Sequence, residues 1–216
     1  MVTDDHGAPA FAADPATAAY YDRRAGEYDE WYRDEGLFAA RRRAGWAEAV
    51  AELEAVVASL PPRRTLDVAC GTRFLTCHLP GPVLAVDRSA AMAATARDRV
   101  GGPPSRVAVA DTLCLPVATG AVERVFTGHF YGHLPPDERR RFLAEAHRVG
   151  TELVVVDSAR RPDVPAEGWQ WRVLNDGSRH RVYKRYLTGA QLGEELGGKV
   201  LLDGAWFVAV RAGLSG

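Results

Sequence analysis

Residues 64–87, RTLDVACGTRFLTCHLPGPVLAVD, constrain the fold more than any other stretch of the 216-residue chain. The apolar, β-type residues Leu66 and Val68 lead into small and polar residues between Asp67 and Thr72, which predicts a buried strand entering a tight turn. A short helix is expected next. The run from Val83 to Val86 is too short and too β-branched to prefer a helix, so it reads as a second strand, ending at Asp87. Asp87 follows Asp67 by about 20 residues, the separation at which an acid after the second strand meets ribose hydroxyls in a βαβ nucleotide unit. A turn free of bulky side chains admits a ligand, and an acid at the next strand end can accept two hydroxyl donors. Together these features predict a nucleoside-binding half-site; the alternative is a βαβ crossover without a ligand.

The turn itself narrows the choice of nucleoside. A nicotinamide or flavin site uses G-x-G-x-x-G, with three glycines for turn, pyrophosphate approach and helix packing. Here the turn runs Asp67-Val68-Ala69-Cys70-Gly71-Thr72-Arg73, with one glycine and an acid at its head. An acid there repels a pyrophosphate and suits an ammonium or sulfonium charge. DVACGTR followed by Asp87 closely resembles motif I and the acidic strand end of class I S-adenosylmethionine (SAM)-dependent methyltransferases. The string YYDRRAGEYDEWY, containing Tyr20, Asp22, Tyr28 and Asp29, is similar to the segment preceding motif I in small-molecule members. The resemblance extends over nearly the whole chain from Tyr20. It implies an α/β fold: a doubly wound, mostly parallel seven-stranded sheet with helices on both faces and an antiparallel last strand. An N-terminal helical lid and a β-hairpin insertion after strand five complete that expectation.

The pattern along the chain agrees with this plan. Residues 1–13 are rich in Ala, Asp, Gly and Pro and are expected to be disordered. Asp14-Pro15 is a good helix start, and a lid or arm is expected over 14–62. One helix would carry Tyr20, Tyr21, Tyr28, Trp31 and Tyr32, either as a lid closing over cofactor and acceptor or as a hydrophobic stripe packing the arm onto the domain. A second would run from about Leu37 to Leu60 with Trp46, Val50, Leu53 and Val57 on its buried face. Arg41-Arg42-Arg43 would then lie on a solvated helix face, with an anion site as the alternative. The Rossmann-like domain is expected over 63–216, with an acceptor-side insertion at 159–187. Strands at 106–110, 121–127 and 153–156 lack alternation and are separated by helices at 89–99 and 135–149, which indicates a parallel sheet covered on both faces. Asn175-Asp176-Gly177 signals a hairpin turn. Thr188 can cap a helix ending at Gly197-Gly198, and Val200–Leu202 with Trp206–Val210 suggests a terminal antiparallel pair.

By resemblance, the backbone from Asp67 through Ala69, Gly71 and Thr72 would cradle the methionine part of SAM. Asp87 would hold the ribose hydroxyls, with Arg88 and Met92 beside the adenine. Asp111, Thr112 and Leu113 would read the adenine edge, the backbone near Thr127 and Gly128 would take the ammonium group, and Tyr20 and Tyr28 would close over the ligand. His129, Tyr131 and His133 lie just beyond strand four, where such enzymes place residues between cofactor and acceptor. Histidine is partly neutral near pH 7, so His133, or His129, is the candidate general base. His129 and His133 do not make a metal set. His180, Tyr183, Tyr186, Trp169 and Trp171 would either cover a planar or apolar acceptor or pack the hairpin onto the sheet. Arg73 departs from the pattern, because the family has glycine there; a long cation could obstruct the cofactor, pair with its carboxylate or point to solvent. The departure leaves open a non-catalytic binding module with the same fold.

Composition excludes several other classes. Lys and Arg total 27 against 28 Asp and Glu, so nothing points to a polyanion, and no (Asn/Asp)-Pro-Pro-(Tyr/Phe) motif suggests nucleic-acid methylation. Cys70, Cys77 and Cys114 form no disulfide framework, which fits a reduced cytoplasmic setting. No apolar run reaches the roughly 18 residues of a spanning helix, and no signal-peptide pattern is expected at the N-terminus. The reading is thus a methyltransferase moving a methyl group from SAM, leaving S-adenosylhomocysteine, to an O, N or C atom of a small molecule.

Overall fold

Apolar runs without polar alternation become five parallel strands, four of them largely buried and the one at the sheet edge half exposed. The computed structural model describes residues 10–41, 43–99, 101–102 and 105–214. It forms β1 (Thr65–Val68), β2 (Val83–Asp87), β3 (Ser105–Val109), β4 (Arg124–Gly128) and β5 (Glu152–Ser158). The hairpin strands β6 (Glu167–Val173) and β7 (Arg179–Arg185) make a separate two-stranded sheet. The chain then returns through β8 (Lys199–Asp203) and β9 (Phe207–Gly213). The main sheet has the order β3-β2-β1-β4-β5-β9-β8, with β9 antiparallel to both its neighbours. Leu66 of β1 stands opposite Leu84 of β2 and Val125 of β4.

Alternate residues of each strand enter opposite cores. Val125, Leu153 and Val155 pack with Phe142, Ala146 and Val149 of α5 (Pro136–Val149). Phe126, Val154 and Val156 face the other way, toward Trp46, Val50, Leu53 and Val57 of α3 (Trp46–Ala58). On the β2–β3 side of the sheet, α4 (Ala90–Asp98) starts at the Ser89 cap, whose Oγ accepts from the Met92 amide at 3.0 Å. Helix α6 (Gly189–Leu196) begins with a capping box formed by Thr188 and Gln191. Among the described residues no helix is long and apolar enough to cross a membrane.

Three helix expectations change. The arm is not one helix but two, α1 (Pro15–Arg24) and α2 (Glu30–Arg33), broken by a turn around Gly26, a poor helix former. The helix expected from Leu37 begins only at Trp46, because Gly45 takes a left-handed φ of 71° and ends helical continuity before it. Arg41 and Arg43 therefore sit in a loop rather than on a helix face, and Arg42 lies outside the described residues. Between β1 and β2 the chain makes only one 3-10 turn, Thr76–His78. The tail expected over 1–13 lies outside the described residues through position 9. From Phe11 the chain is held: the Glu138 carboxylate of α5 accepts the amides of Phe11, Ala12 and Ala13 at 2.8–3.2 Å.

At the opposite, amino end of the strands, Arg124 is fully buried and its Nε donates to Glu152 at 2.6 Å. Glu152→Ala should strip a buried guanidinium of its counter-charge and cost about 3–5 kcal/mol in urea unfolding. Replacing both partners by apolar residues should restore most of that loss. A single mutant as stable as the parent would show that the pair is not a structural clamp.

Candidate active site

The strand order reverses between β1 and β4, so the loops leaving their carboxyl ends diverge and open a crevice. One cavity occupies it. Ala69, Asp87, Thr112 and Gly128 form its floor, and Phe11, Tyr21 and Tyr28 cover it from the N-terminal arm. The Asp87 carboxylate is nearly buried and accepts the amides of Gly71 and Ser89, each at 2.8 Å. Burial pushes its pKa up to about 6 against those two amides. Asp67, deeper in the crevice, accepts from Thr76 Oγ1 at 2.5 Å, and burial raises its pKa to about 7.

This floor fits a nucleoside. Ala69 and Gly71 both adopt left-handed backbone, with φ of 58° and 54°, which presents a turn with little side chain to the cavity. At Gly71 it is the left-handed φ that favours glycine, since a Cβ there would meet the Tyr28 ring at an ordinary 3.6 Å contact. Thr112 Oγ1 is buried on the cavity wall without a hydrogen-bond partner. An unsatisfied polar atom in such a place invites a ligand group.

A second cavity of about 490 Å³ adjoins the first. Tyr20, Tyr21 and Trp31 of the arm line one side, Gln170, Arg172 and Tyr186 of the hairpin another, and His129 and His133 lie between. Tyr21, Tyr28 and His129 border both cavities, which marks the junction across which a group could pass from one ligand to the other. The hairpin is tied to the arm at its tip: Arg23 pairs with Asp176 at 2.7 Å, and the Asn175 amide donates to Glu27 at 2.8 Å. The arm is tied to the floor: Asp22 accepts from Ser89 Oγ at 2.6 Å, and Asp29 accepts from Thr72 Oγ1 and from Arg99.

His129 has a left-handed φ of 58°, unusual for a non-glycine residue, and its Nε2 is buried without a partner. Its ring stands edge-on to Trp31 at 4.9 Å, and burial lowers its pKa to about 4. His133 Nδ1 lies 2.6 Å from the Tyr183 carbonyl. A carbonyl only accepts, so Nδ1 carries the hydrogen and Nε2 keeps a lone pair. The ring stacks on Phe11 at 4.6 Å, and burial, with the nearby Lys184 charge, lowers its pKa well below the ordinary value. Both imidazoles are neutral at pH 7.

Of the residues singled out in the sequence, the crevice gathers Tyr28, Ala69, Asp87, Arg88, Thr112 and Gly128 on one cavity, with Asp67 in a small adjoining recess and Gly71 orienting Asp87. Others serve elsewhere. Tyr20 borders the second cavity, not the first. Thr72 is buried and spends its hydroxyl on Asp29, docking the arm. Thr127 donates to the Val68 carbonyl at 2.8 Å and ties two strands. Met92 is buried and lines neither cavity, and Leu113 packs into the core. Asp111 is exposed and accepts its own loop amide at Leu113. Tyr131 drops out as a catalytic candidate, because its ring lies in the core and its hydroxyl donates to Glu195 at 2.7 Å. Arg88 lines the cavity but its guanidinium donates to the Ala12 carbonyl, holding the N-terminal strap. The insertion aromatics divide: Trp171 and Tyr186 border the second cavity, whereas Trp169 stacks edge-on to Tyr183 outside it, and His180 packs on Tyr20.

Sequence reasoning missed Phe11, Thr17 and Phe130 on the cavity wall and Glu138 as the clamp. Phe11 stands alone in a stretch with the composition of a tail. Its clamp is 127 residues away, so no local pattern joins them.

Arg73 turns away from both cavities. It takes φ 68°, the left-handed conformation glycine would favour, and its guanidinium donates to the carbonyls of Arg99 at 3.1 Å and Gly101 at 2.9 Å, with Ala96 at 3.5 Å. A cation on the carbonyls at the end of α4 complements the helix dipole. The side chain neither obstructs the crevice nor reaches a ligand in it.

Comparison with known proteins agrees with this geometry. Residues 66–152 match the family described as methyltransferase domain. A structure of DhpI in complex with SAH aligns at 27% identity with a TM-score of 0.64, covering 91% of this chain and 94% of that one. A DhpI complex with SAM and HEP aligns at 24% identity and TM-score 0.67, covering 91% and 95%. A SAM-dependent methyltransferase from Thermotoga maritima, described as a possible histamine N-methyltransferase, shares the fold at 18% identity and TM-score 0.61, covering 91% and 99%. No curated protein matches.

Two outcomes are expected at this site. Asp87→Ala should weaken S-adenosylhomocysteine binding about ten- to hundredfold in calorimetry while the protein stays folded. In the parent, binding should weaken as pH falls through about 6, because protonation removes an acceptor for ribose hydroxyls; Asp87→Asn should flatten that dependence. Equal affinity in parent and mutant would remove Asp87 from the site. Arg73→Gly should leave S-adenosylhomocysteine affinity nearly unchanged and lower stability by no more than about 2 kcal/mol, because relief of the left-handed backbone offsets part of the lost charge-assisted hydrogen bonds. A marked loss of affinity would mean that Arg73 serves the ligand after all.

Proposed function

We propose that this chain is a class I SAM-dependent methyltransferase that moves the methyl group to an oxygen, nitrogen or carbon atom of a small molecule. The observation that carries the reading is the second cavity, roofed by the arm and hairpin and joined to the cofactor crevice through Tyr21, Tyr28 and His129. At about 490 Å³ it suits a compact molecule. The DhpI structure holding SAH supports the same cofactor in the crevice.

Asp87 would hold the ribose hydroxyls, the turn at Ala69–Gly71 would take the methionine part, and Thr112 Oγ1 would gain its missing partner. When bound, SAM supplies an electrophilic methyl group on a sulfonium. The protein contributes alignment and dryness. Tyr21, Tyr28 and the stacked pair Phe11–His133 wall off water, and docking of the arm by Asp22 and Asp29 fixes those rings over the floor. For a protic acceptor, His133, whose Nδ1 bond leaves Nε2 a lone pair, would take the proton, while His129 would shape the junction. The free thiols of Cys70, Cys77 and Cys114 support a reducing, cytoplasmic setting.

A small-molecule panel, read by mass increase of the acceptor, tests the function. Methylation of RNA or protein with no small molecule accepted would overturn it. His133→Ala should lower turnover by about 10²-fold or more while S-adenosylhomocysteine affinity stays level, whereas His129→Ala should have the smaller effect on turnover. Parental turnover should stay flat as pH falls through 6.5, since the ring is already neutral there. A limb at the ordinary histidine value, abolished by His133→Ala, would contradict the buried, neutral imidazole.

A further inference from the structure

The second cavity is lined by six cationic side chains, Arg24, Arg41, Arg43, Arg161, Arg172 and Lys184, against two acids, Glu27 and Asp163. Three of the cations are answered by the protein. Arg43 pairs with Asp34, Arg161 with Asp163 at 3.0 Å, and Lys184 with the buried Asp157. Glu27 is taken up by the Asn175 amide. Among the described residues Arg24, Arg41 and Arg172 have no carboxylate at ion-pair distance. Arg24 instead donates to the Tyr20 hydroxyl at 2.5 Å and lies 4.9 Å over the Tyr28 ring, and Arg41 lies 4.8 Å over Phe38.

These cations converge from three parts of the chain: the arm, the loop before α3 and the hairpin strand β6. Their charges are felt mutually. The Arg41 pKa is lowered by burial and then by the like charges of Arg172, Arg43 and Arg24. Like charges facing one space repel, and an anion entering that space relieves the repulsion while receiving planar, multiply donating hydrogen-bond forks. The junction residues Tyr21 and Tyr28 stand beside this cluster, on the side where the cofactor crevice opens.

We propose that the methyl acceptor carries an oxyanion group, carboxylate or phosphoryl, held in this cavity by Arg24, Arg41 and Arg172. The inference rests on the methyltransferase reading and adds the chemical class of its substrate. Aromatic walls at Tyr20, Trp171 and Tyr186 suit the remainder of such a molecule. The arginines act by positioning it, since each belongs to the acceptor cavity and none borders the cofactor crevice.

The test uses the full chain saturated with S-adenosylhomocysteine and titrated calorimetrically with four probes of similar size: phenyl phosphate, benzoate, benzyl alcohol and benzylamine. At least one anion should bind at millimolar concentration or better, with affinity falling as salt rises, and both uncharged and cationic probes should bind more weakly. Phenyl phosphate binding ahead of benzoate identifies a phosphoryl group, and the reverse order a carboxylate. Arg41→Gln combined with Arg172→Gln, both away from the buried core, should weaken the better anion about tenfold or more and leave S-adenosylhomocysteine affinity unchanged. The proposal is overturned if neither anion binds, if benzyl alcohol or benzylamine binds as tightly, or if the double variant keeps parental anion affinity. A parent that fails to bind S-adenosylhomocysteine overturns the methyltransferase reading as well, which separates the two failures.

Discussion

The reversal of strand order beside β1 is the constraint on which the rest of this molecule depends. Because β2 and β4 flank β1 and their crossovers pass to opposite faces, the loops at the carboxyl ends part and leave backbone amides facing an open crevice. Asp67 and Asp87 stand in that gap. Burial works against their ionisation, and the Gly71 and Ser89 amides on Asp87 work for it, so a carboxylate is kept where a nucleoside's hydroxyls can donate. The same amides that orient the acid belong to the turn and the helix cap, so site geometry and local fold share their hydrogen bonds.

Over this crevice the chain builds a roof fastened largely by polar stitches. Glu138 gathers three amides of the N-terminal strap, Asp22 and Asp29 join the arm to Ser89 and Thr72, and the hairpin tip meets Glu27, Glu30 and Arg23. Regions held by exposed or half-buried polar contacts open at lower cost than packed cores. A roof of this kind can exclude water from two adjoining cavities and still release small ligands. The sheet beneath has no such freedom, since Phe126, Phe142 and the strand valines are fully packed on its two faces.

Arg73 shows how a departure from a family's pattern can be local. Glycine would enter the left-handed region freely, whereas arginine pays roughly 1–2 kcal/mol to do so. Its guanidinium then reaches carbonyls at the end of α4 that would otherwise lack donors, and the charge suits the negative end of the helix. The substitution thus exchanges backbone ease for an anchor between the motif turn and the helix behind it, and the crevice stays clear.

Much of this was legible in the residues. Unalternating strands, the single-glycine turn with Asp87 about 20 residues on, the Ser89 and Thr188 caps and the Asn175-Asp176-Gly177 hairpin all act through neighbours within a few positions, so local chemistry reports them. Where the reading strayed, distance along the chain was the cause. Tyr131 and His133 lie two positions apart, yet packing sends one ring into the core and the other to a cavity wall. Phe11 has a tail's composition until Glu138, 127 residues further along the chain, collects its amide. Of the cluster of Arg24, Arg41 and Arg172, the sequence marks only the Arg41-Arg42-Arg43 run, for its members are spread over three segments and net charge nearly cancels. Only folding brings those charges to one space, because what selects a side chain's role there is the nearest opposite charge in three dimensions rather than its neighbour in the chain.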